Sequence, residues 1–285
     1  MKSNKPTPSF LDYLDLSLLR ISKRRRSKIE NDSDNFYESF FTVDDIVKYE
    51  CDVRNEWRFN VMQKLLSDVI SSGEGIFVDV GCGLGFSSRF IPGNFSYKGI
   101  EFSEQTFNFA KNLHSGVKNT EFIQGGFPRL PIEDSVADFV ICTEVIEHIE
   151  DDGKAISELY RILKPGGYLW ITVPSTYYWQ DYFRLIGHYR HYTGTLFSKQ
   201  LENCGFEIHK RIPQFNKYWR YYQYTWVLMQ IFEKVCRATI SKELQILKTK
   251  WYQNRKNKII SKLENMNQKE KELLTSTSIL VKKSV

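Results

Sequence analysis

VDVGCGLGF, residues 78–86, follows Ile76 and Phe77, so an apolar, β-branched run surrounds Asp79 and leads into Gly81, Gly83 and Gly85. A parallel strand buried on both faces has this composition, and it ends here in a turn too tight for side chains. FSSRF after the last glycine predicts the start of a helix. Strand, glycine loop and helix N-terminus together form a nucleotide-binding corner.

The glycine spacing narrows the nucleotide. A dinucleotide fingerprint, G-x-G-x-x-G, requires its third glycine at position 86, where this chain has Phe86. A phosphate-cradling P-loop requires Gly-Lys-Ser/Thr, and none follows. The pattern is instead acidic-x-G-x-G-x-G. Without a pyrophosphate to hold, such a loop can bring its backbone against a nucleoside carrying an amino-acid tail. The next apolar run, YKGIEF at 97–102, predicts a second strand ending in Glu101, 20 residues after Gly81. A carboxylate there is placed to accept hydrogen bonds from both ribose hydroxyls. ADFVICTEVIEHI, residues 137–149, predicts a third buried strand with polar residues at its C-terminal end. A helical segment closing with LKPGG at 163–167 and a further strand, YLWITVP at 168–174, follow.

With these motifs in order, the chain resembles the class I S-adenosylmethionine-dependent methyltransferases, within the broad group that includes small-molecule enzymes such as those of quinone biosynthesis. The residues that carry the resemblance are VDVGCGLG, Glu101, the IQGG-to-LP segment at 123–131, DFVICTEVIEHI and LKPGGYLWITVPS. It covers roughly residues 55–212. It implies an α/β, Rossmann-like, doubly wound and mostly parallel sheet with helices on both faces, extended by extra N- and C-terminal helices. It also implies S-adenosylmethionine as cofactor, contacted by Asp79, Gly81, Cys82, Gly83, Gly85, Glu101, Phe102, Gly125, Gly126, Phe127, Cys142 and Thr143. Many relatives have Gly-Asp where this chain has Gly125-Gly126, so adenine contacts are expected from backbone near Gly126 and Phe127 and from packing by Phe102. Thr143-Glu144 replaces the Asn/Asp-Pro-Pro-aromatic motif of enzymes that methylate base amino groups, which argues against a nucleic-acid substrate.

Composition supports one α/β domain with appended helices: the chain has 285 residues and five cysteines, at 51, 82, 142, 204 and 236, with no C-x-x-C pair. A reducing, cytoplasmic setting without structural zinc is expected. No signal peptide is visible, and YYQYTWVLMQIF at 221–232 is too short to span a bilayer. Charge is uneven. Residues 1–36 carry net +3 and residues 242–285 net +7 within a total of +6, leaving the middle at −4. A mildly acidic centre makes nucleic acid an unlikely partner.

The expected domains are an amphipathic, basic extension and linker at 1–42, a methyltransferase domain at 43–212, and a helical, aromatic then basic extension at 213–285. In the first, SFLDYLDLSLLRIS at 9–22 precedes KRRRSK, a pattern that suits either peripheral contact with an anionic membrane or a lid helix. Arg54 and Arg58, before the first strand, are placed to reach the cofactor's carboxylate or the surface. The usual final antiparallel strand is not evident after GFEIHKRI at 205–212, and the last 40 residues read as solvated helices and flexible tail.

The acceptor, a small or lipid-linked molecule, is expected against the aromatic insertion at 176–193. There GHYRHYT resembles the group's GH-x-R-x-(Y/F)-T signature, in which His188, Arg190 and His191 fix a loop and Thr193 or Thr195 caps the next helix. His188 and His191 are candidate bases for removing an acceptor proton, with Glu144 lining the methyl-donor end. No metal is expected. The alternative is a divalent ion on Glu144, Glu147 and His148, which share a face if EVIEHI is helical. Methyl transfer from a sulfonium needs mainly in-line positioning and exclusion of water, so no fixed catalytic motif is required.

Overall fold

The computed structural model describes residues 53–70, 73–174, 188–214 and 276–284, with single positions at 250, 254, 257, 258 and 261. The apolar runs read from the sequence become strands of one seven-stranded sheet. In chain order the elements are α1 (Val53–Val69), β1 (Gly75–Val80), a 3-10 turn (Phe86–Phe90), β2 (Phe95–Glu101), α2 (Glu104–Leu113), β3 (Thr120–Gln124) and β4 (Ala137–Thr143). They continue with a second 3-10 turn (Ile146–His148), α3 (Asp152–Ile162), β5 (Leu163–Pro174), α4 (Gly194–Asn203), β6 (Phe206–Gln214) and β7 (Ser276–Lys283). The strand order is β3-β2-β1-β4-β5-β7-β6. Strands β1 to β5 are parallel, and β7 runs antiparallel to both β5 and β6.

Alternation along each strand sends side chains into two cores. From β1, Val78 and Val80 join Ile156 and Leu159 of α3 and Phe197 and Leu201 of α4. On the opposite face, Phe77 joins Phe139, Trp170 and, from α1, Met62, Leu65 and Leu66. Strands buried on both faces carry near-continuous apolar sequence, which is why VDV, DFVIC and YLWITV were legible. Helix starts are fixed by side chains: Ser103 Oγ accepts from the Thr106 amide, Asp151 from Lys154 and Thr193 from Leu196.

Four expectations need correction. The final antiparallel strand exists, but its sequence lies at 276–283, so the tail reading fails for this segment. Ile279 and Val281 enter one core and Leu280 the other. A three-residue apolar run followed by two lysines looks like a solvated end. Here, however, Lys283 Nζ turns inward to donate to the carbonyls of Tyr160 (2.8 Å) and Leu163 (2.7 Å). FSSRF forms a five-residue 3-10 turn rather than the start of an α-helix. EVIEHI is not a continuous helix either, because Glu144 takes a left-handed φ of 57° before the short turn at 146–148. Finally, α3 ends at Ile162 and β5 begins at Leu163, with the register shifting through the Pro-Gly-Gly stretch before Tyr168.

Strand order reverses between β1 and β4, so the crevice outside their carboxyl ends is where an open α/β sheet binds ligands. No helix among the described residues is long and apolar enough to cross a membrane. The stretch at 9–22 with its basic cluster, Cys51, Cys236, positions 176–187 and the aromatic stretch at 215–240 lie outside the described residues.

Candidate functional site

The glycine loop leaves β1 at the switch point and is held by backbone bonds. The amides of Gly81 (2.9 Å) and Cys82 (3.1 Å) donate to the Ile100 carbonyl, and Gly85 donates to Cys82 (2.9 Å). Gly81 has φ +71°, and a Cβ there would lie 2.4 Å from Val145 Cγ2. Gly83, at φ +54°, faces open space: nothing lies within 4 Å of where its Cβ would stand. One glycine is therefore required by packing, and the other leaves room for a ligand to approach the backbone.

Glu101 ends β2 directly beside this gap. One carboxylate oxygen accepts from the Gly83 amide (2.9 Å) and the other from Ser103 (3.0 Å). A carboxylate has about four lone-pair sites, so both oxygens retain acceptor capacity. Burial pushes the Glu101 carboxyl above the usual range, and the amides of Ser103, Gly83 and Phe102 pull it back. Phe102 next to it is 57% exposed and lies against Gly126, whose Cβ would stand 3.3 Å from its ring. Gly125 donates its amide to the Glu101 carbonyl (3.0 Å), which ties the loop after β3 to the same wall. Phe127 follows, half-buried against the core.

Asp79 and the two cysteines take inward positions instead. Asp79 Oδ2 accepts from the Ser87 hydroxyl and from Tyr97 OH (3.0 Å), behind the loop. Burial pushes its carboxyl up to about 6 against these two bonds. Asp79 thus holds the loop to the first 3-10 turn. Cys142 is fully buried, and its thiol fills core space. Cys82 is nearly so, and burial raises both thiols well above their ordinary range, which leaves neither a nucleophile. Thr143 is half-buried at the end of β4.

The end of β4 carries the second half of the site. Glu144 accepts from Thr172 Oγ1 (2.9 Å) and pairs with Arg58 of α1 at 3.3 Å. Arg58 thus reaches from the preceding helix to the end of β4. The side chain of Arg54 lies outside what is described. A left-handed conformation at a non-glycine residue stores roughly 1 kcal/mol, and such residues cluster at functional sites.

His188-Tyr189-Arg190-His191-Tyr192 is knotted onto the turn after β4. The Tyr189 amide donates to the Glu147 carbonyl (2.8 Å), and Tyr192 N to the Pro174 carbonyl (3.1 Å). Arg190 donates to the carbonyls of Ile149 (3.0 Å) and Glu150 and pairs with Asp152 (3.2 Å), which also accepts from Tyr192 OH (3.0 Å). Within the knot, His188 Nδ1 and His191 Nε2 share a hydrogen bond of 2.7 Å, and the His188 ring meets His148 edge-on at 4.5 Å. Burial, then the neighbouring His148 and His191, push His188 down to about 3, so it is a poor proton acceptor near neutrality. Glu144 is not part of this group. Ligand atoms of Glu147, His148 and His188 lie within 4.8 Å of one another.

Sequence reading missed the supports of the site: Ser87 and Tyr97 behind the loop, and His114, whose Nε2 reaches the Leu84 carbonyl at 2.9 Å. It also missed Glu158, which accepts from the Leu130 amide (3.0 Å) and pairs with Arg161 (2.8 Å), anchoring the 129–134 segment to α3. These residues lie on elements other than the ones they support, and only the Glu158–Arg161 spacing gave a local signal.

Residues 78–171 match the family described as "Methyltransferase domain". A probable S-adenosylmethionine-dependent methyltransferase of Mycolicibacterium smegmatis is 25% identical over 143 residues, covering 49% of this chain and 54% of the relative. A demethylmenaquinone methyltransferase of Staphylococcus aureus is 25% identical over 150 residues, covering 51% and 60%. The chain thus spans little more than half the length of these curated relatives. Among solved structures, phosphoethanolamine N-methyltransferase 2 of Haemonchus contortus, in complex with S-adenosyl-L-methionine, superposes with a TM-score of 0.55 at 19% identity. That match covers 79% of this chain and 53% of the other, and it shows the shared fold.

Proposed function

We propose that the chain, whose residues 78–171 match a methyltransferase domain, binds S-adenosylmethionine and transfers its methyl group to a small or lipid-linked acceptor, at oxygen. The observation that carries this reading is the wall formed by Gly83, Glu101, Phe102 and Gly126 at the switch point. The open side of Gly83 suits the amino-acid tail, Glu101 the ribose hydroxyls, and the exposed Phe102 face the adenine. The bound cofactor supplies an activated methyl on a sulfonium. The chain positions it, and Thr143 and Glu144 line the end of the cleft toward which the acceptor must come.

A base is needed only where the acceptor must lose a proton. His188, whose imidazole holds a proton weakly, is a poor candidate for that role. His191, bonded to His188, remains the histidine candidate. Oxygen is taken as the acceptor atom, and nitrogen or carbon acceptors are compatible with the same cleft.

The test is release of S-adenosylhomocysteine by the full chain with methyl-labelled cofactor and fractionated small-molecule and lipid extracts. Label moving into an extract component, through a linkage of the ether or ester class, supports the reading. Saturable cofactor binding with no product from any fraction favours a non-catalytic cofactor-binding subunit. Absence of binding overturns the proposal.

A further inference from the structure

The turn that carries Gly83 runs from Cys82 to Gly85 and closes with the Gly85 amide on the Cys82 carbonyl (2.9 Å). The Leu84 carbonyl, inside the same turn, is met by a side chain from outside it. His114 Nε2 lies 2.9 Å from that oxygen, across 30 residues of chain. His114 caps the C-terminus of α2, where its amide donates to Ala110 (3.0 Å) and its carbonyl accepts from Val117 (3.0 Å). The ring is buried and tilted against Phe122 of β3, with centroids 5.2 Å apart. Gly85, at φ +72°, admits both rings: a Cβ there would stand 2.4 Å from Phe122 and 3.3 Å from His114 Nε2. We infer that His114 is a positioning residue for the methyl donor. Its Nε2–H holds the Leu84 carbonyl and so fixes the Gly83 main chain against which the cofactor lies.

A carbonyl only accepts, so the contact assigns the ring hydrogen to Nε2. Burial, with Arg89 adding to it, holds the imidazole below its ordinary value against the pull of the Leu84 carbonyl. The ring is therefore neutral near neutrality and carries one N–H, which is spent on the loop. Removing that donor leaves a carbonyl in a buried setting without its partner, at a peptide whose next residue is a glycine. Such a peptide rotates at little cost, and rotation reshapes the turn. Helix α2 thus grips the donor site at both ends. At its start the Ser103 amide donates to Glu101 (3.0 Å), and at its end His114 donates to the glycine loop. One rigid helix sets the spacing between the carboxylate and the turn.

The inference rests on the proposed cofactor reading of Gly83 and Glu101, and the test separates the two. Full-length chain and three variants are titrated calorimetrically with S-adenosylhomocysteine, with urea denaturation of each as a check on folding. His114→Gln can place an amide N–H where Nε2–H stands. His114→Asn reaches only the Nδ1 position, and His114→Leu fills space without a donor. The expected order is Gln within about threefold of wild type, with Asn and Leu each weakened about tenfold. Rescue by Gln alone marks a donor at one place, which a residue that merely filled space would not show. Should His114→Leu fail to fold, Gln against Asn carries the comparison. Wild-type affinity in His114→Leu, or equal losses in the Gln and Asn variants, overturn the inference while leaving the cofactor reading intact. No binding to the wild-type chain overturns the cofactor reading, and the inference with it.

Discussion

The two ends of the cleft are built by different means. On the donor side, from Gly81 to Glu101, the site is mostly backbone: amides, carbonyls and one carboxylate within 20 residues of chain. On the other side, His188 to Tyr192 is held by side-chain and main-chain bonds to residues about 40 positions earlier. The first kind of site constrains residue types locally, because glycine adopts those turns at least cost. The second constrains pairs of residues that are far apart in sequence.

This contrast predicts that damage on one side leaves the other intact. The largest effect is expected for Gly83→Val. A β-branched residue at φ +54° is strained, and its side chain fills the open cradle. S-adenosylhomocysteine affinity should fall by more than about 100-fold, roughly 3 kcal/mol, in calorimetric titration. Next, Arg190→Ala removes the link between the knot and the turn after β4, including a partly buried ion pair. Chemical denaturation should show a loss of about 2 kcal/mol, with cofactor-product affinity changed less than about threefold. A loss of binding equal to that of Gly83→Val would break the separation of the two sides.

Glu101→Gln keeps the shape and removes the charge that accepts from ribose. Affinity is expected to drop about tenfold, or 1.4 kcal/mol. Asp79 gives a pH test. Its folded-state pKa of about 6 lies above the ordinary 3.8, so the folded protein binds this proton more tightly than the unfolded chain. Its contribution is therefore fully present below pH 4 and is lost as pH rises through 6. Asp79→Asn should flatten the fall in stability between pH 4 and 7, by about 1–2 kcal/mol in denaturant titrations at the two ends. An unchanged slope would show that Asp79 is not the buried acid. Phe102→Ala is the mildest change, with affinity weakened about threefold through loss of stacking.

The strands β1, β2, β4 and β5 were legible because strands buried on both faces have to be apolar almost throughout. Gly81, Gly83 and Glu101 were legible because turn geometry and a strand end leave few residue choices. β7 was not, since Ile279, Leu280 and Val281 make a short run whose significance depends on pairing with β5, over 100 residues away. EVIEHI misled for a related reason. Its spacing fits a helix, but the Thr172 carbonyl takes the Glu144 amide (3.0 Å), and a hydrogen bond from Thr172 and an ion pair with Arg58 hold its side chain outside any helix. The Asp79–Ser87–Tyr97 support was hidden because each member reads alone as an ordinary strand or turn residue.

Calorimetric titration of S-adenosylhomocysteine into the full chain and into Glu101→Gln tests the central claim most directly. The account predicts one saturable site on the wild-type chain, weakened about tenfold by the substitution. No binding to the wild-type chain, or equal affinity for both, would contradict it.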